Sequence, residues 1–403
     1  VTGFDPADYG AAPTQADRAR WAEADRVARP RRLDRLRERF AGAGVDAYFA
    51  IRPEHIRYLT GFALDDGEEK NAGVSGQSLV GRDEVVILAD SRYTIQAGRQ
   101  APDARLEDVY GDLPERWPTI LASLGARRVA MEAGFLSKAT WDRLATAAPD
   151  VELVPAEGWL EADRAVKEPS ELERVAAACA MADRALASLL PSIQPGRMER
   201  ELAMELEWSM RTGGADALAF DVACLSGPEA ALPHGSPGDR PVRAGAVLLF
   251  DFGAQVAGYR SDMTRTLFVG QPSPRDRAVY ELVTEAQAAS IAGLEAAVRE
   301  GRPISGRAAD ALAREVIARA GHGGHFGHGT GHGIGLATHE LPSLGQRAGD
   351  GPLPSPTVFS VEPGVYLGGE TGVRIEDLVV FDAPAGRVER LTRFPREVVV
   401  VGG

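Results

Sequence analysis

Two pairs of acidic residues stand where a β-hairpin would make them face each other. Asp251 ends the apolar run Ala246-Val-Leu-Leu-Phe-Asp251, and Asp262 precedes a second run, Met263-Thr-Arg-Thr-Leu-Phe-Val269. Both runs have strand propensity, and Gln255-Val-Ala-Gly258-Tyr between them offers a reversal. A hairpin centred near residues 256–257 would set Asp251 directly opposite Asp262, roughly 5 Å apart at Cβ. Glu362 and Glu376 repeat the arrangement about the turn Leu367-Gly-Gly-Glu370. Like charges held that close are destabilising unless a cation lies between them. An acidic residue that merely ends a strand or opens a turn would explain either pair alone. Two facing pairs favour bound cations, and two divalent ions would neutralise the four carboxylates.

Histidine is the third element. Five of the seven histidines fall between Gly321 and His339: His322, His325, His328, His332 and His339. The stretch His328-Gly-Thr-Gly-His332-Gly-Ile-Gly335 is too rich in glycine for a helix. It is expected as an extended strand, where even spacing puts His328 and His332 on one face. Glycines there let backbone and ligand approach closely. The alternative is a glycine–histidine loop with adventitious metal affinity.

These side chains need a scaffold to converge. At 403 residues the chain suits two domains. A polar seam near residue 165, Leu160-Glu-Ala-Asp-Arg-Ala-Val-Lys-Glu-Pro169, divides it. Before the seam, Val45–Ile51, Gln77–Val80 and Val85–Leu88 read as strands, and Arg92–Gln100 and Ser137–Ala147 as helices. That alternation predicts a small α/β domain. After the seam, Ser170 and Glu173 form a capping box for a helix whose apolar stripe includes Val175, Cys179, Leu186 and Leu189. A second helix, Met198–Arg211, stops at Gly213-Gly214. A β-rich stretch, two more helices near Arg275–Arg299 and Ser305–Ala320, and a second β-rich stretch follow, which suggests internal duplication. The first thirty residues are expected as an extension of helix and loop.

Composition narrows the class. Hydrophobic residues make up 44% and charged residues 26%, the balance of an ordinary globular protein. A net charge of −13 disfavours nucleic acid. No apolar run is long enough to span a bilayer, and Asp5, Asp8 and Asp17 leave no apolar leader in the first twenty residues. Two cysteines, Cys179 and Cys224, are too few for a disulfide framework, and Cys179 is expected as a buried thiol. The expected compartment is the cytoplasm.

The motifs taken together closely resemble one family. His328-Gly-Thr-Gly-His332-Gly-Ile-Gly-Leu-Ala-Thr-His339-Glu-Leu-Pro, Asp251-Phe-Gly with Ser261-Asp262-Met-Thr-Arg-Thr, Glu362-Pro-Gly-Val-Tyr and Arg374-Ile-Glu376-Asp look like the active-site motifs of the pita-bread metallopeptidases. That family includes aminopeptidase P, prolidase, methionine aminopeptidase and creatinase. The resemblance covers residues 165–400 in order. Tyr58-Leu-Thr-Gly-Phe62 and Asp90-Ser-Arg-Tyr93 are similar to the creatinase-type N-terminal domain, which points to aminopeptidase P or prolidase. The resemblance implies an α+β architecture: a creatinase-like α/β domain over residues 1–164, and a pita-bread domain with duplicated helix-pair and β-hairpin halves over 165–403.

Carried over residue by residue, it makes Asp251, Asp262, His332, Glu362 and Glu376 ligands of two divalent ions, bridged by Asp262 and Glu376. Such an oxygen-rich set suits manganese, with cobalt, iron or zinc as alternatives. His234, His328 and His339 would surround the metals, with His339 stabilising the oxyanion and the other two orienting the substrate. Glu362 would also relay the proton. Arg374 would either anchor a substrate carboxylate or neutralise Glu376, and Tyr366 would either line the site or pack in its hairpin. The implied activity is removal of an N-terminal residue from in front of proline by a homodimer. Prolidase, acting on Xaa-Pro dipeptides, is the alternative. A non-catalytic peptide-binding module is disfavoured because all five ligands are present.

Overall fold

The computed structural model describes residues 4–64 and 76–402. It divides into two units, one of Ala19–Asp163 and one of Val1–Arg18 with Arg164–Gly403. The first eighteen residues therefore cluster with the second unit, whereas the sequence assigns them to the first domain. Aromatic packing accounts for the difference: Phe4 and Tyr9 stack on Phe394, with ring centroids 5.4 and 6.2 Å away.

The unit of Ala19–Asp163 is a six-stranded mixed sheet. Its strands run Arg105–Asp108, Val85–Ala89, Gln77–Val80, Ala47–Ala50, Arg128–Glu132 and Glu152–Ala156 across the sheet. The helices Thr94–Gln100 and Lys138–Ala147 match expectation, and Ser137 caps the latter by accepting from the N–H of Thr140. The first and the last two of those strands were not anticipated. Arg105-Leu-Glu-Asp and Glu152-Leu-Val-Pro-Ala show no clear alternation, as edge strands often do not.

In the second unit the helix pair Pro169–Leu189 and Glu199–Thr212 precedes a four-stranded sheet. The first helix starts earlier than Ser170 and Glu173 suggest. Glu168 is the N-cap, Pro169 supplies a preset φ at the first helical position, and Glu171 accepts from the Glu168 N–H at 2.7 Å. The sheet's central strand, Val247–Phe252, is apolar on both faces because both are covered. Leu248, Phe250 and Phe252 pack with Leu186, Leu202 and Leu206, while Val247 and Leu249 pack with Val279, Val283 and Ile317. The last three come from the second helix pair, Pro274–Arg299 and Gly306–Arg319. A five-stranded sheet follows, ordered Glu340–Leu344, Gly331–Gly333, Thr357–Val361, Asp377–Asp382 and Arg387–Arg390. Helix pair, sheet, helix pair, sheet is the duplicated plan expected of the fold.

The two hairpins set the site. Val361 pairs with Asp377 and Gly364 with Arg374, so Glu362 and Glu376 lie between two ladder segments in the expected register. The aspartate hairpin differs. It turns at Ala257-Gly258, both with positive φ (48° and 86°), and Asp251 pairs with Thr264. Turns of that hand match strand twist, which moves the reversal one residue along. Asp262 is thus two residues from the position facing Asp251. Because strand side chains repeat every two residues, both aspartates still share a face.

Gly331 marks where the His332 strand meets its neighbour. A Cβ there would stand 1.8 Å from the carbonyl oxygen of Ser360. Gly331→Ala should therefore force the two strands apart and destabilise the protein by about 1–3 kcal/mol. Equilibrium urea unfolding checks this, and an unchanged midpoint would refute it.

Candidate active site

The hairpin faces, the glycine-rich strand and the loop before Val247 enclose a cavity of about 720 Å³. Its lining includes Asp251, Asp262, Glu362 and Glu376 with His234, His328, His332 and His339. His322 and His325 are not among the lining residues; His325 ends the turn Gly323–His325 and His322 is its N-cap.

The donors converge most tightly at Asp262, His332 and Glu376, each of which offers an atom within 4.8 Å of the others. His332 Nε2 lies 3.7 Å from Asp262 Oδ2 and 3.4 Å from Glu362 Oε1. His332 Nδ1 donates to the carbonyl of Gly333 at 3.1 Å, which leaves the Nε2 lone pair aimed at the carboxylates. Ser360 Oγ accepts from the His332 N–H and donates to Glu362 Oε1, both at 3.0 Å. Two buried carboxylate oxygens, Asp251 Oδ1 and Glu376 Oε1, have no hydrogen-bond partner among the described residues. Such atoms are costly to bury unless something binds them. Neutral imidazole, four carboxylates and orphaned oxygens together fit divalent cations.

Electrostatics agree with the geometry. Burial pushes the carboxyl groups of Asp262 and Glu376 well up, and the neighbouring carboxylates push them further. Burial also raises Glu362, against the pull of His328 and Arg374. The same burial lowers His328, His332 and His339, with His332 adding to the depression of His339.

Arg374 answers part of the negative charge, but its partner is Asp251 rather than Glu376. Its Nη2 lies 2.6 Å from Asp251 Oδ2. Nε donates to Thr264 Oγ1 at 2.8 Å, and Nη1 to the Pro233 carbonyl at 3.2 Å and Tyr366 Oη at 2.9 Å. Burial works against its charge, but Tyr366, Asp251 and the two glutamates outweigh it and keep the guanidinium protonated. Tyr366 hydrogen-bonds His328 Nε2 at 2.8 Å, and His328 Nδ1 donates to the Gly329 carbonyl at 2.8 Å. Both ring nitrogens of His328 are therefore occupied. His328 also lies outside the strand, which covers only Gly331–Gly333. Burial pushes the Tyr366 hydroxyl up to about 12.

Several residues of the site were not anticipated. Thr264 Oγ1 donates to Glu376 Oε2 at 2.7 Å, joining the two hairpins. Its even spacing from Asp262 was the available signal. Arg260 Nη1 donates to the Ala219 carbonyl at 2.5 Å and to Thr338 Oγ1 at 3.1 Å. Phe220, Asp221 and Ser343 complete the lining, and nothing in their local pattern marks them.

Comparison with known proteins agrees with this site. Residues 173–383 match the model of metallopeptidase family M24, and residues 32–166 match the creatinase/prolidase N-terminal domain. The chain is 34% identical to an uncharacterised peptidase of Bacillus subtilis over 92% of its length and 100% of the relative's. Its structure is similar to an Xaa-Pro dipeptidase from Bacillus anthracis, with TM-score 0.82, 34% identity, and 92% and 99% of the two chains covered. It is also similar to an X-Pro aminopeptidase from Thermotoga maritima, with TM-score 0.77, 33% identity, and 89% and 98% covered. With both family models matched and the pita-bread plan of hairpins and helix pairs in place, the chain belongs to metallopeptidase family M24 and is a metallopeptidase.

Proposed function

We propose that this enzyme removes the N-terminal residue from peptides of three or more residues whose second residue is proline. The Xaa-Pro bond is suggested by the names of the similar dipeptidase and aminopeptidase. The observation that carries the substrate length is the engagement of Arg374. Among the described lining residues the cations are Arg260 and Arg374. Arg374 makes four side-chain hydrogen bonds within the chain, and Arg260 holds Ala219 and Thr338. Arg374 is already paired with Asp251, so a dipeptide's carboxylate entering this acidic cavity would lose hydration without gaining that guanidinium as a free partner. A longer peptide presents a neutral amide there. Prolidase activity stays the second reading, because the similar Bacillus anthracis enzyme is named a dipeptidase.

Asp251, Asp262, His332, Glu362 and Glu376 would hold two divalent ions, with Mn²⁺ suited to the oxygen-rich set. Such ions, when bound, activate water and polarise the scissile carbonyl. Glu362, whose affinity for protons burial raises, accepts the proton of the attacking water and delivers it to the prolyl nitrogen. His339, kept neutral, donates a hydrogen bond to the carbonyl oxygen as negative charge grows on it. His234 orients the peptide at the cavity wall. Arg374 holds Asp251 in place and is itself braced by Tyr366, which bonds His328. No helix among the described residues is long and apolar enough to cross a membrane. A cytoplasmic homodimer completes the reading, the compartment from composition and the dimer from the family resemblance.

Metal removal tests the ligands. In metal-free protein the raised carboxyl groups of Asp262, Glu362 and Glu376 contribute stability that is full below the ordinary carboxylate range. That contribution is lost as pH rises through their folded pKa values. Mn²⁺ binds the deprotonated forms and should reverse the trend. Thermal unfolding with EDTA and with Mn²⁺, relative to the Asp262→Asn/Glu376→Gln variant, should show opposite slopes. Equal slopes would remove these residues from the ligand set.

The histidines separate by role. His332→Ala should lower metal content, whereas His339→Ala should keep the metals and lower turnover about a hundredfold to a thousandfold. Metal loss from a His328→Ala variant instead would shift the ligand assignment to His328.

Substrate length is settled by comparing Xaa-Pro dipeptides with Xaa-Pro-Yaa tripeptides on the manganese-loaded protein. Faster cleavage of the tripeptides is expected. Turnover of dipeptides alone would make the enzyme a prolidase.

A further inference from the structure

A buried ion cluster grips the loop that carries His339 from behind. The Glu340 side chain is 5% exposed, and its carboxylate is ion-paired with Arg164 Nη2 and, at 3.2 Å, with Lys167 Nζ. The two cations are themselves 3% and 1% exposed. Lys167 Nζ also donates to the carbonyl of Arg164 at 2.5 Å, and the Lys167 N–H to the carbonyl of Pro356 at 2.8 Å. Burial pushes the Glu340 carboxyl up, but Arg164 and Lys167 outweigh it and hold it at about 2.

The same carboxylate shapes the loop. It accepts from the Ala337 N–H at 2.7 Å, which closes a turn over residues 337–340. Gly335 leaves room for it, since a Cβ there would stand 3.0 Å from Glu340 Oε2. His339 is the penultimate residue of that turn, and its ring lines the cavity. On the other side of the loop, Thr338 Oγ1 donates to the Ala219 carbonyl at 3.1 Å and receives Arg260.

Two cations and one carboxylate are an expensive filling for a protein interior. Apolar side chains of similar volume are often as stabilising or more so. What charges provide and apolar groups do not is direction. We infer that Arg164, Lys167 and Glu340 are positioning residues for His339, anchoring its turn so that the imidazole reaches the substrate carbonyl. The inference rests on the reading of His339 given above. Arg164 is also where the chain re-enters this unit, so the seam contributes to the chemistry as well as joining two parts.

Glu340→Gln keeps the size and an acceptor but removes the charge. It should lower kcat about tenfold to a hundredfold, the cost of a small misplacement. KM and Mn²⁺ affinity by calorimetry should stay unchanged. In a His339→Ala background the same substitution should cost nothing further, because it acts through the missing ring. Arg164→Lys should retain most of the turnover that Arg164→Gln loses. In spectra of ¹³C-labelled histidine, the His339 signal, assigned by its loss in His339→Asn, should move in Glu340→Gln while that of His55, bonded to Glu132 in the unit of Ala19–Asp163, stays. This readout needs no substrate, so it stands even if Xaa-Pro peptides prove not to be cleaved. Losses that multiply in the double variant, or an unmoved His339 signal, would overturn the inference. Should Glu340→Gln not fold, Arg164→Lys and Arg164→Gln carry the same cycle.

Discussion

Four carboxylates share one cleft, and the mutual repulsion and desolvation of those charges is the condition to which the rest of the second unit answers. Asp262 and Glu376 are nearly inaccessible to solvent, where an ionised carboxylate is least welcome. The chain relieves only part of the cost. Arg374 takes one oxygen of Asp251, Thr264 one of Glu376 and Ser360 one of Glu362. Two oxygens are left bare within the described structure. A site satisfied internally would have no need of metal; this one is under-satisfied at Asp251 and Glu376.

Holding repelling groups together requires rigidity supplied from elsewhere. The strands that bear the carboxylates run through two cores, with apolar side chains on both faces of Val247–Phe252. Immediately behind the carboxylates, Arg265 pairs with Asp377 at 2.7 Å and also donates to the Phe394 carbonyl. Arg265 adjoins Thr264 and Asp377 adjoins Glu376, so this buried pair locks one hairpin against the other. The arrangement is preorganised: the strain of gathering charge is carried by folding rather than by binding of the substrate.

The chemistry of the site was more legible in the sequence than its wiring. The glutamate hairpin was readable because its turn, Leu367-Gly-Gly-Glu370, gave an unambiguous centre. The aspartate hairpin was misplaced by one residue at the turn because Ala257 adopts a left-handed conformation that sequence does not advertise. The facing argument survived because side-chain direction repeats every two residues. His328 lies outside the expected strand, and its backbone carbonyl accepts from Arg314 Nη2 rather than from a neighbouring strand. Contacts between residues far apart in sequence, such as Arg164 with Glu340, leave no periodic trace. Such contacts are a property of packing, and only the fold reveals them.

Phe4 against Phe394 joins places almost a chain length apart. During synthesis, where earlier segments leave the ribosome first, the residues of Ala19–Asp163 emerge as one uninterrupted block. The unit that bears the active site has no such advantage. Its opening residues must wait for Phe394 before the stack of Phe4 and Tyr9 on that ring can close. Closure of the metallopeptidase unit is thereby tied to synthesis of the segment around Phe394.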